Sequence, residues 1–128
     1  MAEEPIAFLR AAQSPAARTV YQGGQTVQQI RFDRPELSRI LTVYGRMVAA
    51  GEWRDYAIDF REDVAVFSVF RRTSEMPLFR IEKRPKLRAA QGMYAVVAGP
   101  GNILKRGHDL DQVLRVFDKK LIKALAAK

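Results

Sequence analysis

The side chains in this sequence with the clearest capacity for chemistry are the arginines and lysines of its second half. Guanidinium and ammonium groups neutralise phosphates, and each such contact strengthens nucleic-acid binding and its dependence on salt. Residues 71–88 hold seven basic side chains against two acidic ones, and residues 105–128 hold seven against three. The formal net charge of the chain is +8. The predicted phosphate-binding residues are Arg71, Arg72, Lys83, Arg84, Lys86, Arg88, Lys105 and Arg106.

These basic residues fall into three groups whose relative positions the sequence does not fix. Arg71 and Arg72 follow one predicted strand, whereas the group from Lys83 to Arg88 follows the next one. Because consecutive antiparallel strands end on opposite sides of a sheet, the two groups need not adjoin. A solvated basic surface is the alternative interpretation, since charged side chains are mostly exposed without binding anything. The nucleic-acid hypothesis therefore depends on the groups sharing one surface.

Aromatic side chains are the second feature of many nucleic-acid-binding surfaces, because unpaired bases stack on them. Phe67, Phe70, Phe79 and Tyr94 lie on predicted strands, where a place in the core is favoured over base stacking. Trp53 closely follows the first predicted helix, so it is predicted to close the end of the core and not to anchor a partner.

No pattern in the sequence indicates catalysis, a metal site or a cofactor. His108 is the single histidine, and with Asp109 and Asp111 it makes an incomplete ligand set, so a loop or capping role is favoured. The segment 99–102, Gly-Pro-Gly-Asn, lacks the lysine of a phosphate loop and predicts a type II turn. The absence of cysteine excludes thiolate chemistry, and we expect a protein that is not an enzyme. The carboxylates predicted to be solvated turn residues are Asp55, Asp59, Glu62 and Asp63.

The elements that must position these residues form an α+β pattern. Asp33 is a good N-cap with Glu36 in the capping-box position, and apolar residues recur at helical spacing from Leu37 to Val48. Apolar or alternating stretches predict strands at 25–32, 56–61, 64–70, 78–83, 93–98 and 103–105. A second amphipathic helix begins at Asp109. The predicted fold is α+β, an antiparallel meander sheet of four to six strands with two amphipathic helices packed on one face.

Length and composition fit one domain preceded by a tail. The 128 residues suit a single domain, and residues 1–24 are rich in Ala, Gln, Gly and Ser without a sustained period. We therefore expect a disordered N-terminal tail over 1–24 and one α+β domain over 25–128. The sequence has no apolar run of membrane-spanning length, and its first residues include Glu3 and Glu4 where a signal peptide is basic. A cytoplasmic location without a membrane partner is predicted.

Four stretches of the sequence carry a family resemblance: YGRMVAAGEWRDY at 44–56, FSVFRR at 67–72, RIEKRP at 80–85 and LKRGHDL at 104–110. On these residues, the chain from about Leu37 to Leu121 resembles a family of small alphaproteobacterial proteins of unknown function. The resemblance implies a bacterial cytoplasmic protein. It carries over no active site.

Two classes of function stay open. The first is a non-enzymatic nucleic-acid-binding or ribosome-associated module whose Arg and Lys side chains contact the phosphate backbone of RNA or DNA. The second is a protein-interaction or regulatory adaptor, which can also self-associate through a sheet edge as a dimer. The helix–meander–helix order is similar to the double-stranded-RNA-binding domain, but Asp109 and Asp111 stand where that family has a basic cluster. No small-molecule ligand is indicated.

Overall fold

Seven strands and three helices are present in residues 17–22, 25–72 and 76–126, the parts of the chain that this computed structural model describes. None of the helices in these ranges is long and apolar enough to cross a bilayer. In chain order the elements are the strands β1 (Ala17–Gln22) and β2 (Gln25–Ile30), the helix α1 (Arg34–Ala49), the strands β3 (Asp55–Phe60), β4 (Ala65–Phe70) and β5 (Phe79–Lys83), a 3-10 turn at Pro85–Leu87, the strands β6 (Tyr94–Ala98) and β7 (Asn102–Gly107), and the helices α2 (Leu110–Leu114) and α3 (Val116–Ala126).

Strands β3 to β7 form a five-stranded antiparallel sheet in which neighbouring strands are also consecutive in sequence. Phe67 of β4 lies opposite Ile58 of β3 and Ile81 of β5, and Ile81 lies opposite Val96 of β6. Phe67, Ile81 and Val96 are fully buried, and they pack in one cluster with apolar residues of all three helices. The predicted class, an α+β fold with a meander sheet and amphipathic helices on one face, is therefore confirmed.

Helix α1 begins where the sequence predicts because its first turn is capped twice. The Asp33 carboxylate accepts a hydrogen bond from the Glu36 amide at 2.8 Å, and the Glu36 carboxylate accepts one from the Asp33 amide at 2.8 Å. This capping box satisfies N–H groups that every helix start leaves without intrahelical partners. Leu37, Ile40 and Met47 then bury one stripe of the helix in the core.

The predicted C-terminal helix is divided into two segments. Asp109 caps its start by accepting a backbone hydrogen bond at 2.9 Å, but the helical bonding is interrupted at Arg115, between α2 and α3. Leu110 and Val113 of α2 and Phe117 of α3 are all buried. Both segments therefore supply side chains to the same core.

The turn between β6 and β7 lies one residue earlier than the type II turn predicted over 99–102. The backbone N–H of Gly101 donates to the carbonyl of Ala98 at 3.1 Å, so Gly99 takes the second position of the turn. Gly99 has a φ of +50°, which glycine adopts without the steric cost that other residues incur.

Strands β1 and β2 form a separate antiparallel hairpin that pairs from Ala17–Ile30 to Gln22–Gln25. Strand β2 confirms the short strand predicted over 25–32. Strand β1 lies within the tail predicted over 1–24, and its residues 17–22 pair with β2. The division of the chain into a tail over 1–24 and a domain over 25–128 stays a prediction. Residues 1–16 and 23–24 of the predicted tail lie outside the described residues.

Trp53 closes one end of the core, as predicted. Its side chain is 2% exposed, and its ring meets that of Phe117 edge-on with the centroids 5.0 Å apart. The ring of Phe79 lies 6.2 Å from it on the sheet side. The next residue, Arg54, donates its backbone N–H to the carbonyl of Phe70 at 2.8 Å, which fixes this turn onto the end of β4. Aromatic packing of this geometry stabilises the end of the core.

A buried ion pair joins the start of α1 to the sheet. The Nζ of Lys83 lies 2.7 Å from Oε1 of Glu36 and donates to the carbonyl of Arg31 at 2.9 Å. The Tyr94 hydroxyl donates to the other oxygen of Glu36. The side chains of Lys83 and Glu36 are only 5% and 7% exposed. Because buried charges are tolerated only when they are paired and hydrogen-bonded, this network fixes α1 against β5 and β6.

The loop that connects β5 to β6 depends on a close backbone approach at Gly92. This residue has a φ of +108°, and a Cβ placed on it would lie 2.5 Å from the carbonyl carbon of Gly107 at the end of β7. No flexible side chain can move aside there, because the obstructing atoms belong to the backbone. Glycine is therefore required by both conformation and space.

Replacing Lys83 by methionine would leave the Glu36 carboxylate buried without its counter-ion. We expect Lys83→Met to lower the free energy of unfolding by about 3–5 kcal/mol, the usual cost of removing one partner of a buried pair. Lys86→Met changes a solvated lysine of the next loop and should alter that free energy by less than about 0.5 kcal/mol. Urea unfolding measures both variants, and equal losses would contradict a stabilising role for the pair.

Because of Tyr94, the free energy of unfolding should decrease as the pH becomes alkaline. Burial in the first place, and then the hydrogen bond and charge of Glu36, raise the pKa of Tyr94 above its ordinary value of 10.0. Above pH 10 the unfolded chain releases this proton while the folded protein keeps it, so the contribution is complete below pH 10 and declines above it. Unfolding free energies measured across this range should fall less steeply for Tyr94→Phe than for the wild type. Parallel curves would exclude the coupling.

Adding a methyl group at Gly92 should be far more damaging than adding one elsewhere. We expect Gly92→Ala to cost about 1–3 kcal/mol of stability from backbone strain alone, with the steric clash in addition. Gly45→Ala is the matched control, because Gly45 lies in the exposed middle of α1 with nothing within 4 Å of an added Cβ. That change should raise stability by about 0.5–1 kcal/mol. Thermal unfolding compares them, and a neutral Gly92→Ala would contradict the close approach.

Candidate anion-binding site

The eight predicted phosphate-binding residues divide between two ends of the sheet. Arg71 and Arg72 directly follow β4, beside the first residues of β3 and β5. The group from Lys83 to Arg88 begins with the last residue of β5 at the opposite end, beside the first residue of β6. Lys105 and Arg106 lie near that second end, because β7 finishes opposite the start of β6. The predicted residues therefore do not form one surface.

Several of the predicted basic residues at this second end of the sheet are engaged within the protein. Lys83 is buried against Glu36, so its ammonium is engaged inside the protein and does not lie at the surface. Arg84 lies between two carboxylates, at 3.5 and 3.2 Å, and Arg106 donates to a backbone carbonyl at 3.4 Å. The exposed residues among these that have no acidic partner among the described residues are Lys86, Arg88 and Lys105.

Two adjoining grooves open at the other end of the sheet, beside Arg71 and Arg72. The first groove has a volume of about 750 Å³ and follows the turn after α1. The second has a volume of about 420 Å³ and lies between that turn, the start of β5 and α3. The two share Glu52, Trp53 and Arg71, and we call them together the basic cleft. The charged residues that line it are Arg54, Arg71, Arg72, Lys120, Lys123 and Glu52.

Three separate parts of the chain bring these charges together. The backbone bond from Arg54 to the last residue of β4 sets Arg54 beside Arg71, which follows that strand. Lys120 and Lys123 are three residues apart on α3, so they lie on the same side of the helix. Phe117 holds the start of α3 in the core at this end of the sheet. The cleft is therefore built on regular elements and not on a single basic run.

The basic cleft has an excess of positive charge. Glu52 is the one carboxylate among its described lining residues, and its Oε1 lies 3.5 Å from Nη2 of Arg71. The two side chains are 33% and 54% exposed, so this ion pair is weak, and Arg71 can turn to another anion at small cost. The cations of the cleft that form no ion pair with a described residue are Arg54, Arg72, Lys120 and Lys123.

The floor of the second groove is apolar and partly aromatic. Met47, Trp53, Leu78 and Phe79 line it. The ammonium of Lys120 stands over the ring of Phe79, 5.2 Å from its centroid, as a cation–π contact. A cationic rim over an aromatic floor suits an anion that also carries a flat apolar group.

Arg54, Lys120 and Lys123 are not among the predicted phosphate-binding residues. Arg54 lies in the segment 33–63, where acidic side chains outnumber basic ones, so a count by segment conceals it. The lysines near the end of the chain were a visible signal, but their meaning depends on α3 packing beside Trp53. No local pattern reveals a contact between residues so far apart in sequence.

The other candidate side chains do not assemble into a catalytic arrangement in the described ranges. His108 is exposed in the bend after β7. Asp59 is held by Arg61 at 2.6 Å, and Asp63 lies beside Arg84 at 3.5 Å. Among the residues that the structure describes, no three His, Cys, Asp or Glu side chains lie close enough together to hold a metal ion.

Comparisons with known proteins bear on the family alone. No curated protein and no solved structure matches this chain. The profile of a family described as "Protein of unknown function (DUF2794)" matches residues 30–114, from the end of β2 to the end of α2. The family resemblance predicted over about 37–121 is thus confirmed, and the alphaproteobacterial origin stays a prediction. Because the match covers well over half of the 128 residues, the chain belongs to the DUF2794 family.

Proposed function

We propose that this protein is a non-enzymatic, cytoplasmic module that binds nucleic acid, including RNA at a ribosome surface, through phosphate contacts in the basic cleft. The observation that supports this proposal is the convergence of five cationic side chains on a cleft with one described carboxylate, Glu52. Concave sites with an excess of one charge concentrate the electrostatic field and attract polyanions of the opposite sign.

The types of basic residue in the cleft suit contact with a phosphate backbone. Arg54, Arg71 and Arg72 offer planar guanidinium groups, which bind phosphate oxygens in pairs, whereas Lys120 and Lys123 supply compact point charges. Such contacts position a protein on a nucleic acid without reading its sequence. Each phosphate neutralised should steepen the dependence of log affinity on log salt by about 0.7–0.9.

A protein-interaction adaptor is the second candidate function, because β7 presents an open sheet edge with Ile103 51% exposed. Two features of that strand disfavour a dimer formed by edge pairing. The pairing of β6 with β7 shifts register between Val96 and Val97, and Lys105 is exposed on β7. Bulges and edge lysines are devices that hinder strand addition. An acidic partner protein would instead compete with nucleic acid for the basic cleft.

Removing two charges from the cleft should weaken binding, whereas removing two from the opposite end of the sheet should not. We expect the double variant Arg71→Gln/Arg72→Gln to bind a labelled mixed-sequence oligonucleotide at least about tenfold more weakly than the wild type. The salt slope should fall by about 1.5, the value for two lost phosphate contacts. Fluorescence anisotropy at several salt concentrations measures both quantities.

The matched control is Lys86→Gln/Arg88→Gln, which lowers the net charge equally but at exposed positions away from the cleft. It should retain wild-type affinity within about twofold. Equal losses in the two double variants would mean that net charge and not the cleft determines binding. Failure of the wild type to bind RNA or DNA at micromolar concentration and low salt would end the nucleic-acid proposal.

A further inference from the structure

The second groove of the basic cleft differs from a plain phosphate site in what lies beneath its cations. Met47, Leu78 and Phe79 line it together with Arg71, Lys120 and Lys123. A bare phosphate gains nothing from an apolar floor, whereas a nucleotide presents both an anion and a flat apolar ring. At about 420 Å³ the groove lies within the range of pockets that accept small organic groups.

Phe79 is held as a rigid surface in this groove. Its ring packs against Phe117 at 5.3 Å between centroids and against Trp53 at 6.2 Å. The ammonium of Lys120 covers the ring at 5.2 Å. Because Lys120 is exposed, this cation–π contact is weak, and the side chain can swing to a phosphate and uncover the ring.

The floor accepts a base only when that base is unpaired. Bases in a duplex are stacked within the helix and present their edges, whereas a single strand can turn a base outward onto an aromatic ring. We propose that the second groove seats one unpaired base of a single-stranded nucleic acid on Phe79, with Lys120, Lys123 and Arg71 holding the neighbouring phosphates. This inference rests on the proposed function and specifies its ligand as single-stranded.

The decisive comparison uses the unmodified protein with two strands of equal length and equal phosphate number, one carrying bases and one abasic throughout. We expect the abasic strand to bind about tenfold more weakly, within the range of one base–aromatic stacking contact. A duplex of the same length should also bind more weakly than the single strand. Trp53, the single tryptophan of the chain, gives a second readout, because its ring lies 6.2 Å from that of Phe79. Its fluorescence should change with the strand that carries bases and not with the abasic one.

The variant Phe79→Leu keeps an apolar side chain and removes the ring. It should bind the strand with bases as weakly as the abasic one, with abasic affinity unchanged. Phe60→Leu is the matched control, since Phe60 is another half-buried ring beneath a cation, with Cζ of Arg31 4.7 Å from its centroid, at the other end of the sheet. It should retain the preference for bases. Urea unfolding checks that both variants fold, and the wild-type comparison stands even if Phe79→Leu does not.

The possible outcomes separate the two proposals. Equal binding of the two strands by the wild type, or a duplex bound as tightly as the single strand, would overturn the proposal that a base stacks on Phe79. Either result would leave the proposal of phosphate binding in place. Loss of base preference in Phe60→Leu as well as in Phe79→Leu would also overturn the stacking proposal. Absence of binding to every strand would end both proposals, and binding of an acidic peptide in their place would assign the cleft to a protein partner.

Discussion

The structure depends on one buried charge pair, that of Lys83 and Glu36. Two ions removed from water are stable only with close mutual contact and further hydrogen bonds, and Arg31 and Tyr94 complete that set here. The pair therefore admits a single placement of the first turn of α1 against the sheet. With 16 residues α1 is about 24 Å long, slightly more than a six-residue strand. The C-terminal end of α1, and Trp53 shortly after it, therefore lie at the opposite end of the sheet from the ion pair.

This position of Trp53 determines where the basic cleft lies. Trp53 fills the end of the core, the residue after it bonds to β4, and Phe117 brings α3 against the same ring. Cations from the turn after α1, from the end of β4 and from α3 then line the two adjoining grooves of the basic cleft. At the other end of the sheet, carboxylates or a backbone carbonyl engage Lys83, Arg84 and Arg106. Ion pairing therefore removes a larger share of the predicted cations there than in the basic cleft, where only Arg71 is paired with a described residue.

Local signals in the sequence predicted most of the fold. The capping box at Asp33 and Glu36 set the start of α1, and alternation along β3 and β5 set the meander. The sequence also contains a signal for the burial of Lys83. Phe79 and Ile81 face the core, and because side chains along a strand alternate between its two faces, Lys83 lies on the same face. Because Lys83 is followed directly by further basic residues, it was grouped with the exposed basic loop. The cleft could not be predicted, because Arg54 and Lys120 line adjoining grooves only through packing between distant segments.

The carboxylate of Glu36 serves the helix and the sheet at the same time. It accepts from the amide of Asp33 at the helix start, from the ammonium of Lys83 and from the hydroxyl of Tyr94. Helix ends ordinarily fray, because their outer hydrogen bonds open at little cost. Here, fraying of the first turn would leave the buried ammonium of Lys83 without its carboxylate partner, Glu36. The first turn of α1 and the middle strands should accordingly open together, as one cooperative unit whose amide protons exchange with solvent at a shared rate.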